Sequence, residues 1–152
     1  MKILALSDGS KWGHKAAMHA MSLAKKDRAG DVEVVLFSVL DRDEIRSSAF
    51  YMCSNSGMCY AISDHEKKMY EDQKASITAD FEDISRQMCC EGVKCSSKTV
   101  DGNRLLETEK ELKSGNYSLI LMGAYGKRSN HSVGSFYADI AKITDIPILL
   151  IN

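Results

Sequence analysis

The sequence predicts an α/β domain in which a parallel sheet is covered by helices on both faces. The first observation is strict alternation: short apolar runs are separated by longer segments with helical spacing, from the N-terminus to a last apolar run. The second is that most of these runs are short and almost entirely apolar, as in strands buried on both sides. Parallel strands need crossover connections, and right-handed crossovers place helices against the sheet.

The first third of the chain predicts a strand, a helix and a second strand. Lys2 to Ser7 is a short apolar run that ends at Asp8-Gly9-Ser10. Helical spacing follows from about Ser10, and Gly30 stands where a residue past a helix end is expected. Val32 to Leu40 is the most β-like segment and is apolar enough to be a central strand. The predicted buried helix face consists of Ala17, Ala20 or Met21, and Ala24.

The middle of the chain predicts an irregular excursion followed by a long helix. Residues 41–63 start with charges and contain Tyr, Met and Cys, so we expect a loop or a partly helical segment that is not fully disordered. From Asp64 a helical pattern runs to Gly92. Its clearest apolar stripe has steps of four, three and four residues, namely Ile77, Phe81, Ile84 and Met88.

The last third predicts three more strands and two helices. Val93 to Val100 alternates loosely, as an edge strand does. Asn103 is a plausible cap for a helix that carries Leu105, Leu106 and Leu112 and ends at Gly115. A strand over Tyr117 to Met122 leads to Gly123-Ala124-Tyr125-Gly126 and a basic loop. A helix is expected to start at Gly134-Ser135, and the last strand lies within Ile146 to Ile151.

Length and charge exclude several classes of protein. We expect one domain over residues 1–152, since a chain of this length buries a sufficient core without disulfides. Twenty basic and 21 acidic residues leave a net charge of -1, which gives no general attraction to nucleic acid or an anionic membrane. No apolar run approaches the roughly 20 residues of a membrane span, and no signal peptide pattern is present. The expected location is cytoplasmic.

The five cysteines do not form a recognisable metal motif. Cys53 and Cys59 have five residues between them, and Cys89 and Cys90 are adjacent, whereas zinc ligands usually stand two to four residues apart. A chain expected in a reducing compartment would carry them as reduced, partly buried thiols. A redox pair or metal site remains an alternative.

Candidate binding residues follow the ends of the predicted strands. In open parallel sheets ligands bind beyond the carboxyl ends of the strands. Asp8 follows the first strand, Asp41 the second, and the segment from Gly123 to Ser135 the fourth. Glycines allow positive φ and close approach of a ligand, and a helix starting at Gly134-Ser135 would direct its N–H groups at an anion. Lys127, Arg128 and His131 would add positive charge.

Each of these features also has an ordinary structural explanation. Asp8 could be only a turn and helix-capping residue. Lys127 and Arg128 could be solvated, and Tyr125 and Tyr137 could contribute only packing.

The sequence contains no catalytic constellation. The four histidines, His14, His19, His65 and His131, lack metal-ligand spacing, and no serine-nucleophile or Walker motif is present.

Two segments resemble the universal stress protein family, and the resemblance extends over essentially the whole chain. The opening strand that leads to Asp8-Gly9-Ser10 and an alanine-rich helix is similar to that family's N-terminus. The tail is similar too, with Gly123-x-x-Gly126, a loop, Gly134-Ser135, a helix and the run Ile146 to Ile151. In members that bind ATP, nine residues separate the second and third glycines, whereas this chain has seven, Lys127 to Val133.

The resemblance implies a fold, a ligand and a partner. The fold would be Rossmann-like, of the adenine nucleotide alpha hydrolase-like type, with a five-stranded parallel sheet. The ligand would be ATP or AMP, with or without Mg, and the partner a second copy paired through the edge strand Ile148 to Ile151. The implied nucleotide-binding residues are Asp8, Val39, Gly123, Gly126, Gly134 and Ser135.

Three functions remain open from the sequence. The first is a universal stress protein-like regulatory module that binds an adenine nucleotide with little or no hydrolysis. The second is a dimeric stress-response scaffold that has lost nucleotide binding through the shortened loop at 127–133. The third is a redox or metal sensor built on Cys53 and Cys59, whose thiols would need to be accessible in the 41–63 segment.

Overall fold

The computed structural model describes residues 1–56, 62–126 and 135–152, and these contain five strands and five helices. Strands and helices alternate as predicted, except that two helices in succession stand between the second and third strands. In chain order the elements are β1 (Lys2–Leu6), α1 (Lys11–Lys26), β2 (Glu33–Leu40), α2 (Arg42–Ser56), α3 (Ile62–Cys90), β3 (Lys94–Asp101), α4 (Arg104–Ser114), β4 (Leu119–Gly123), α5 (Ser135–Ile143) and β5 (Ile148–Ile151).

The five strands form one parallel sheet in the order β3-β2-β1-β4-β5. The central strand is β1, where Leu4 lies between Val35 of β2 and Ile120 of β4. The chain builds outwards from β1 to β3 on one side and then returns to β4 and β5 on the other. This order reverses between β1 and β4, and it confirms the Rossmann-like five-stranded parallel sheet predicted from the sequence.

Alternate residues of the inner strands supply two hydrophobic cores, one on each face of the sheet. On one face α1 and α3 pack against residues such as Ile3, Val34 and Leu121. On the other face Leu4, Phe37 and Ile120 form a core with Ile140 of α5. The predicted stripe of α3 is confirmed, because all four of its residues are buried: Ile77, Phe81, Ile84 and Met88.

The boundaries of α4 are as predicted. Asn103 caps the helix by accepting a hydrogen bond from the Leu106 backbone N–H at 3.0 Å, and Gly115 follows its end. Of the three leucines that the helix was expected to carry, Leu105 and Leu112 are seven residues apart and pack against the core. Leu106 is 56% exposed.

The segment expected to be an irregular excursion is mostly helical. Residues 42–56 form α2, and residues 57–61 lie outside the described part of the chain. The helix buries a stripe with a spacing of four residues, Ile45, Ala49 and Cys53, and packs against α3. This stripe contains one small residue and one cysteine, so its apolar periodicity is too weak to be evident from the sequence.

A buried carboxylate fixes α4 to the sheet. Tyr117 donates a hydrogen bond to Glu111 Oε1 at 2.6 Å, and Lys98 Nζ donates to Oε2 at 2.7 Å. Burial by itself would raise the pKa of Glu111, but the hydrogen bonds from Lys98 and Tyr117 outweigh it and lower the pKa. Burial and the same hydrogen bond raise the pKa of Tyr117. The network is therefore built around an ionised Glu111.

We expect Glu111 to contribute to the acid sensitivity of the fold. A carboxyl group whose pKa is lowered on folding stabilises the protein above its unfolded pKa, and this contribution is lost as the pH falls through the folded value. Glu111→Gln should cost about 1–2 kcal/mol of the free energy of unfolding at pH 7 and less below about pH 4. Urea unfolding from pH 7 to pH 3 measures this. Glu109→Gln, which removes a surface pair with Lys113, is the control, and equal pH profiles for both variants would contradict the assignment.

Candidate functional site

A pocket of about 790 Å³ opens at the carboxyl ends of β1, β2 and β4. Small-molecule sites commonly measure roughly 300–1,000 Å³. The pocket lies where the strand order reverses, which is the usual ligand position in open parallel sheets. Its wall includes five of the six residues expected to bind nucleotide, namely Asp8, Val39, Gly123, Gly126 and Ser135.

Asp8 combines a structural role with a place in the pocket. Its Oδ1 accepts a hydrogen bond from the Ser10 backbone N–H at 2.9 Å, while Ser10 caps α1 through Gly13. Gly9 between them has φ 80°, the positive φ that glycine tolerates. A Cβ placed on Gly126 would lie 3.7 Å from Asp8 Oδ2. The turn at the end of β1 therefore fixes Asp8 so that its second oxygen faces Gly126 of the β4 side.

Gly123 is required by packing, which corrects the reason the sequence suggested for it. The glycines of this turn were expected to supply positive φ, but neither Gly123 nor Gly126 belongs to the positive-φ glycines of the described residues. A Cβ on Gly123 would lie 2.6 Å from Trp12 Cβ and 2.9 Å from the Trp12 backbone carbonyl carbon. Glycine is needed at this position because α1 passes directly against the end of β4.

The phosphate side of the expected site is described in part. Gly134, Lys127, Arg128 and His131 lie outside the described residues. Ser135 is the first residue of α5, a nine-residue helix, and lines the pocket together with Phe136 and Tyr137. The first N–H groups of a helix have no partner within it and carry the positive end of its dipole. The start of α5 therefore faces the pocket with groups suited to an anion.

The end of β2 contributes a backbone edge to the pocket. The pairing of β2 with β1 ends at Phe37, whose carbonyl accepts a hydrogen bond from the Ser7 N–H at 3.0 Å. Residues two apart in a strand direct their backbone groups the same way. The N–H and C=O of Val39 therefore point towards the side of β2 that pairs with β1. Val39 lies beyond the end of β1. This edge can donate and accept hydrogen bonds.

Asp41 joins the second strand to two helices. Its Oδ1 accepts hydrogen bonds from the N–H groups of Asp43 and Glu44 at 3.0 and 3.2 Å, and its Oδ2 accepts from the Arg104 N–H at 3.0 Å. It is buried and lines the pocket. Asp41 was expected near the site, and its described contacts give it a structural role: it caps α2 and holds the start of α4.

Arg104 is a pocket residue that the sequence analysis missed. Its guanidinium donates to Glu44 through Nε at 3.2 Å and Nη2 at 2.8 Å, and it lies 5.7 Å from the Phe136 ring centre. Burial by itself would lower the pKa of Arg104, but hydrogen bonding to Glu44 and the charges of Glu44, Asp8 and Asp41 raise it. Its position directly after β3, at the same end of the sheet as Asp8, was the available signal.

The described wall of the pocket has more negative than positive charge. Arg104 is its one cation among the described residues, and it is already paired with Glu44. A polyphosphate would need cations from elsewhere, because like charges in a partly desolvated site repel strongly. The carboxylates that line it are Asp8, Asp41, Asp43, Glu44 and Asp139.

The cysteine-sensor hypothesis finds no support at Cys53. It required accessible thiols in a loop, but Cys53 lies on α2 and is 1% exposed. Cys59 lies outside the described residues. In ranges 1–56, 62–126 and 135–152, no group of three or more His, Cys, Asp or Glu side chains is arranged to hold a metal ion.

None of the described helices is long and apolar enough to cross a membrane.

No protein-family model and no curated protein matches the chain, whereas solved structures match it over nearly its full length. Universal stress protein UspA from Lactobacillus plantarum has a TM-score of 0.76 at 17% identity, with 100% of this chain and 97% of that chain covered. A universal stress protein family protein from Arabidopsis thaliana with AMP bound has a TM-score of 0.62 at 15% identity, covering 99% and 90%.

A third structure, a universal stress protein in complex with cAMP, has a TM-score of 0.60 at 14% identity and covers 100% of this chain and 96% of that chain. At these identities the comparisons concern the fold. This chain has the fold of universal stress proteins, as the resemblance of its opening and tail indicated.

Proposed function

We propose that this chain is a universal stress protein-like regulatory module that binds an adenine nucleotide and hydrolyses it little or not at all. The observation that carries the proposal is the pocket at the switch point of the sheet, where Asp8, Val39, Gly126 and Ser135 share one wall. Two structures of the same fold were solved with AMP or cAMP bound.

The proposed arrangement follows the chemistry of the wall. The backbone edge of Val39, which lies beyond the end of β1, can hydrogen-bond an adenine edge, as a base-pairing partner would. Asp8 Oδ2 can accept a hydrogen bond from a ribose hydroxyl. The phosphate would lie against the first N–H groups of α5 at Ser135. Because the described wall is acidic, we propose AMP as the preferred ligand over ATP, with Mg contributing little to AMP binding.

The test uses the single tryptophan of the chain as a reporter. Trp12 contacts the pocket residue Tyr125, with ring centres 4.9 Å apart, so we expect AMP to change its fluorescence. Asp8→Asn keeps an oxygen that can accept from the Ser10 N–H but removes the charge, and we expect roughly tenfold weaker AMP binding with the melting temperature nearly unchanged. Asp8→Ala should also weaken the turn. Wild-type affinity in Asp8→Asn would contradict the role given to Asp8.

A second function, a dimeric scaffold without nucleotide, is favoured by the acidic described wall and by the short loop at 127–133. It predicts that neither AMP nor ATP changes Trp12 fluorescence or the melting temperature at millimolar concentration. The two proposals therefore differ in one titration. Both include the regulatory role in stress response that the resemblance implies.

We also propose a homodimer through β5. The sheet has two edges: β3 carries exposed Lys and Ser side chains, which discourage pairing, whereas β5 is the apolar run Ile148 to Ile151. Leu149 is 38% exposed in the single chain. We expect Leu149→Lys to convert a dimer to a monomer in sedimentation equilibrium. Leu106→Lys changes an exposed leucine on α4 and should leave the dimer intact, and a monomeric wild type would contradict the proposal.

A further inference from the structure

The hydroxyl of Ser38 is a polar group of the pocket to which the proposed arrangement gives no role. Ser38 is 1% exposed and lines the pocket, and its Oγ has no hydrogen-bond partner among the described residues. A buried hydroxyl without a partner costs roughly 1–3 kcal/mol, so natural proteins rarely keep one without a reason. Alanine would fit the same position in an otherwise apolar strand. The fold therefore maintains an unpaired hydroxyl at a cost to stability.

The position of Ser38 indicates which part of a ligand it would contact. It lies on β2, whereas the start of α5 and Gly126 follow β4, and β1 separates the two strands. Neighbouring strands are about 4.8 Å apart, so roughly 10 Å separates Ser38 from the phosphate side. One phosphate group cannot contact both. Ser38 therefore lies on the side of the pocket where the nucleoside part of the ligand would be.

The surroundings of Ser38 suit a base. Strand alternation places it on the same face as Leu36 and Leu40, the face covered by α3. From that side Met69 and Gln73 of α3 line the pocket, and Ile45 of α2 closes it. Flat apolar walls with a few polar groups are typical of nucleobase recesses. A hydroxyl can donate to a ring nitrogen or accept from an exocyclic amine.

We infer that Ser38 is a specificity residue that hydrogen-bonds the base of the bound nucleotide, an inference that rests on the proposed nucleotide function. The hydroxyl has no partner among the described residues, and because its Oγ is buried in the ligand-free protein, it would turn towards the base when the nucleotide binds. Removing it should therefore have opposite effects on stability and on binding. If the hydroxyl had only a structural role, its removal would lower both the stability and the binding affinity, or neither.

The experiment compares Ser38→Ala with Ser7→Ala. Ser7 lines the same pocket, but its Oγ already accepts a hydrogen bond from the Gly9 N–H at 3.2 Å. Without nucleotide, we expect Ser38→Ala to raise the melting temperature by roughly 3 °C and Ser7→Ala to lower it. With adenosine and with AMP, Ser38→Ala should bind about tenfold more weakly, by the same factor for both ligands.

The outcomes separate this inference from the proposed function. A lower or unchanged melting temperature in Ser38→Ala would show that the hydroxyl has an internal partner and overturn the inference even if wild type binds AMP. Equal affinity of wild type and Ser38→Ala, or a loss seen with AMP and not with adenosine, would also overturn it. If wild type binds neither ligand, the proposed function fails and the base contact fails with it, whatever the melting temperature of Ser38→Ala.

Discussion

Asp41→Ala is expected to lower the free energy of unfolding by about 2–4 kcal/mol. The side chain accepts three backbone hydrogen bonds, two from the first turn of α2 and one from Arg104 at the start of α4. Alanine would leave these N–H groups without their acceptor in a partly buried setting. It would also remove a negative charge that stabilises the largely buried Arg104 guanidinium.

Two further variants test whether the loss of stability is due to the particular contacts of Asp41. Asp41→Asn keeps one acceptor oxygen, so it should retain the cap of α2, lose the tie to α4 and cost about half as much. Asp27→Ala removes a carboxylate that also accepts two backbone hydrogen bonds, but at an exposed turn, and should cost under about 1 kcal/mol. Urea unfolding followed by circular dichroism measures all three. Similar losses of stability for Asp41→Ala and Asp27→Ala would contradict the conclusion that Asp41 links β2 to α2 and α4.

Gly123→Ala and Gly126→Ala are expected to separate folding from binding. The new Cβ at position 123 would meet Trp12 Cβ at 2.6 Å and the Trp12 backbone at 2.9 Å, so α1 must shift. Overpacking of this kind costs roughly 1–3 kcal/mol. The new Cβ at position 126 meets Asp8 Oδ2 at 3.7 Å, an ordinary contact, so the stability should change by less than about 0.5 kcal/mol.

The losses of AMP affinity in Gly123→Ala and Gly126→Ala should follow the opposite order to their losses of stability. A methyl group at position 126 occupies pocket space beside Asp8, and we expect it to weaken AMP binding by at least about fivefold, measured by Trp12 fluorescence. The folded fraction of Gly123→Ala should bind AMP within about threefold of wild type, a difference of under about 1 kcal/mol, because its strain lies on the α1 side. Unchanged AMP affinity in Gly126→Ala would contradict the ligand position beside Gly126.

Much of the fold could be predicted because its signals are local. The short apolar runs, the stripe that includes Ile77 and Phe81, and the cap at Asn103 each depend on side chains within a few residues of one another. The helix α2 could not be recognised in the same way. Its buried side is Ile45, Ala49 and Cys53, and its stability depends on the cap at Asp41 and on packing against α3, which lies beyond the neighbouring residues.

The candidate site could be predicted only as far as topology allows. Knowing that parallel strands end at one edge was enough to expect Asp8 near the β4 turn. The positive φ expected at Gly123 was wrong, and the packing that requires glycine there could not be predicted because the close approach of Trp12 depends on how α1 crosses β4. Arg104 and Ser38 were missed because neither belongs to a motif: Arg104 is paired with Glu44, and the Ser38 hydroxyl has no partner among the described residues.

Calorimetric titration of the purified chain with AMP tests the central claim most directly. Adenine-nucleotide binding predicts saturable heat with one ligand per chain and a Kd below about 1 mM, which corresponds to roughly 4 kcal/mol of binding free energy. Asp8→Asn should raise that Kd in the same experiment. No measurable heat at millimolar AMP, ADP or ATP, with a folded protein, would contradict the claim and favour the scaffold without nucleotide.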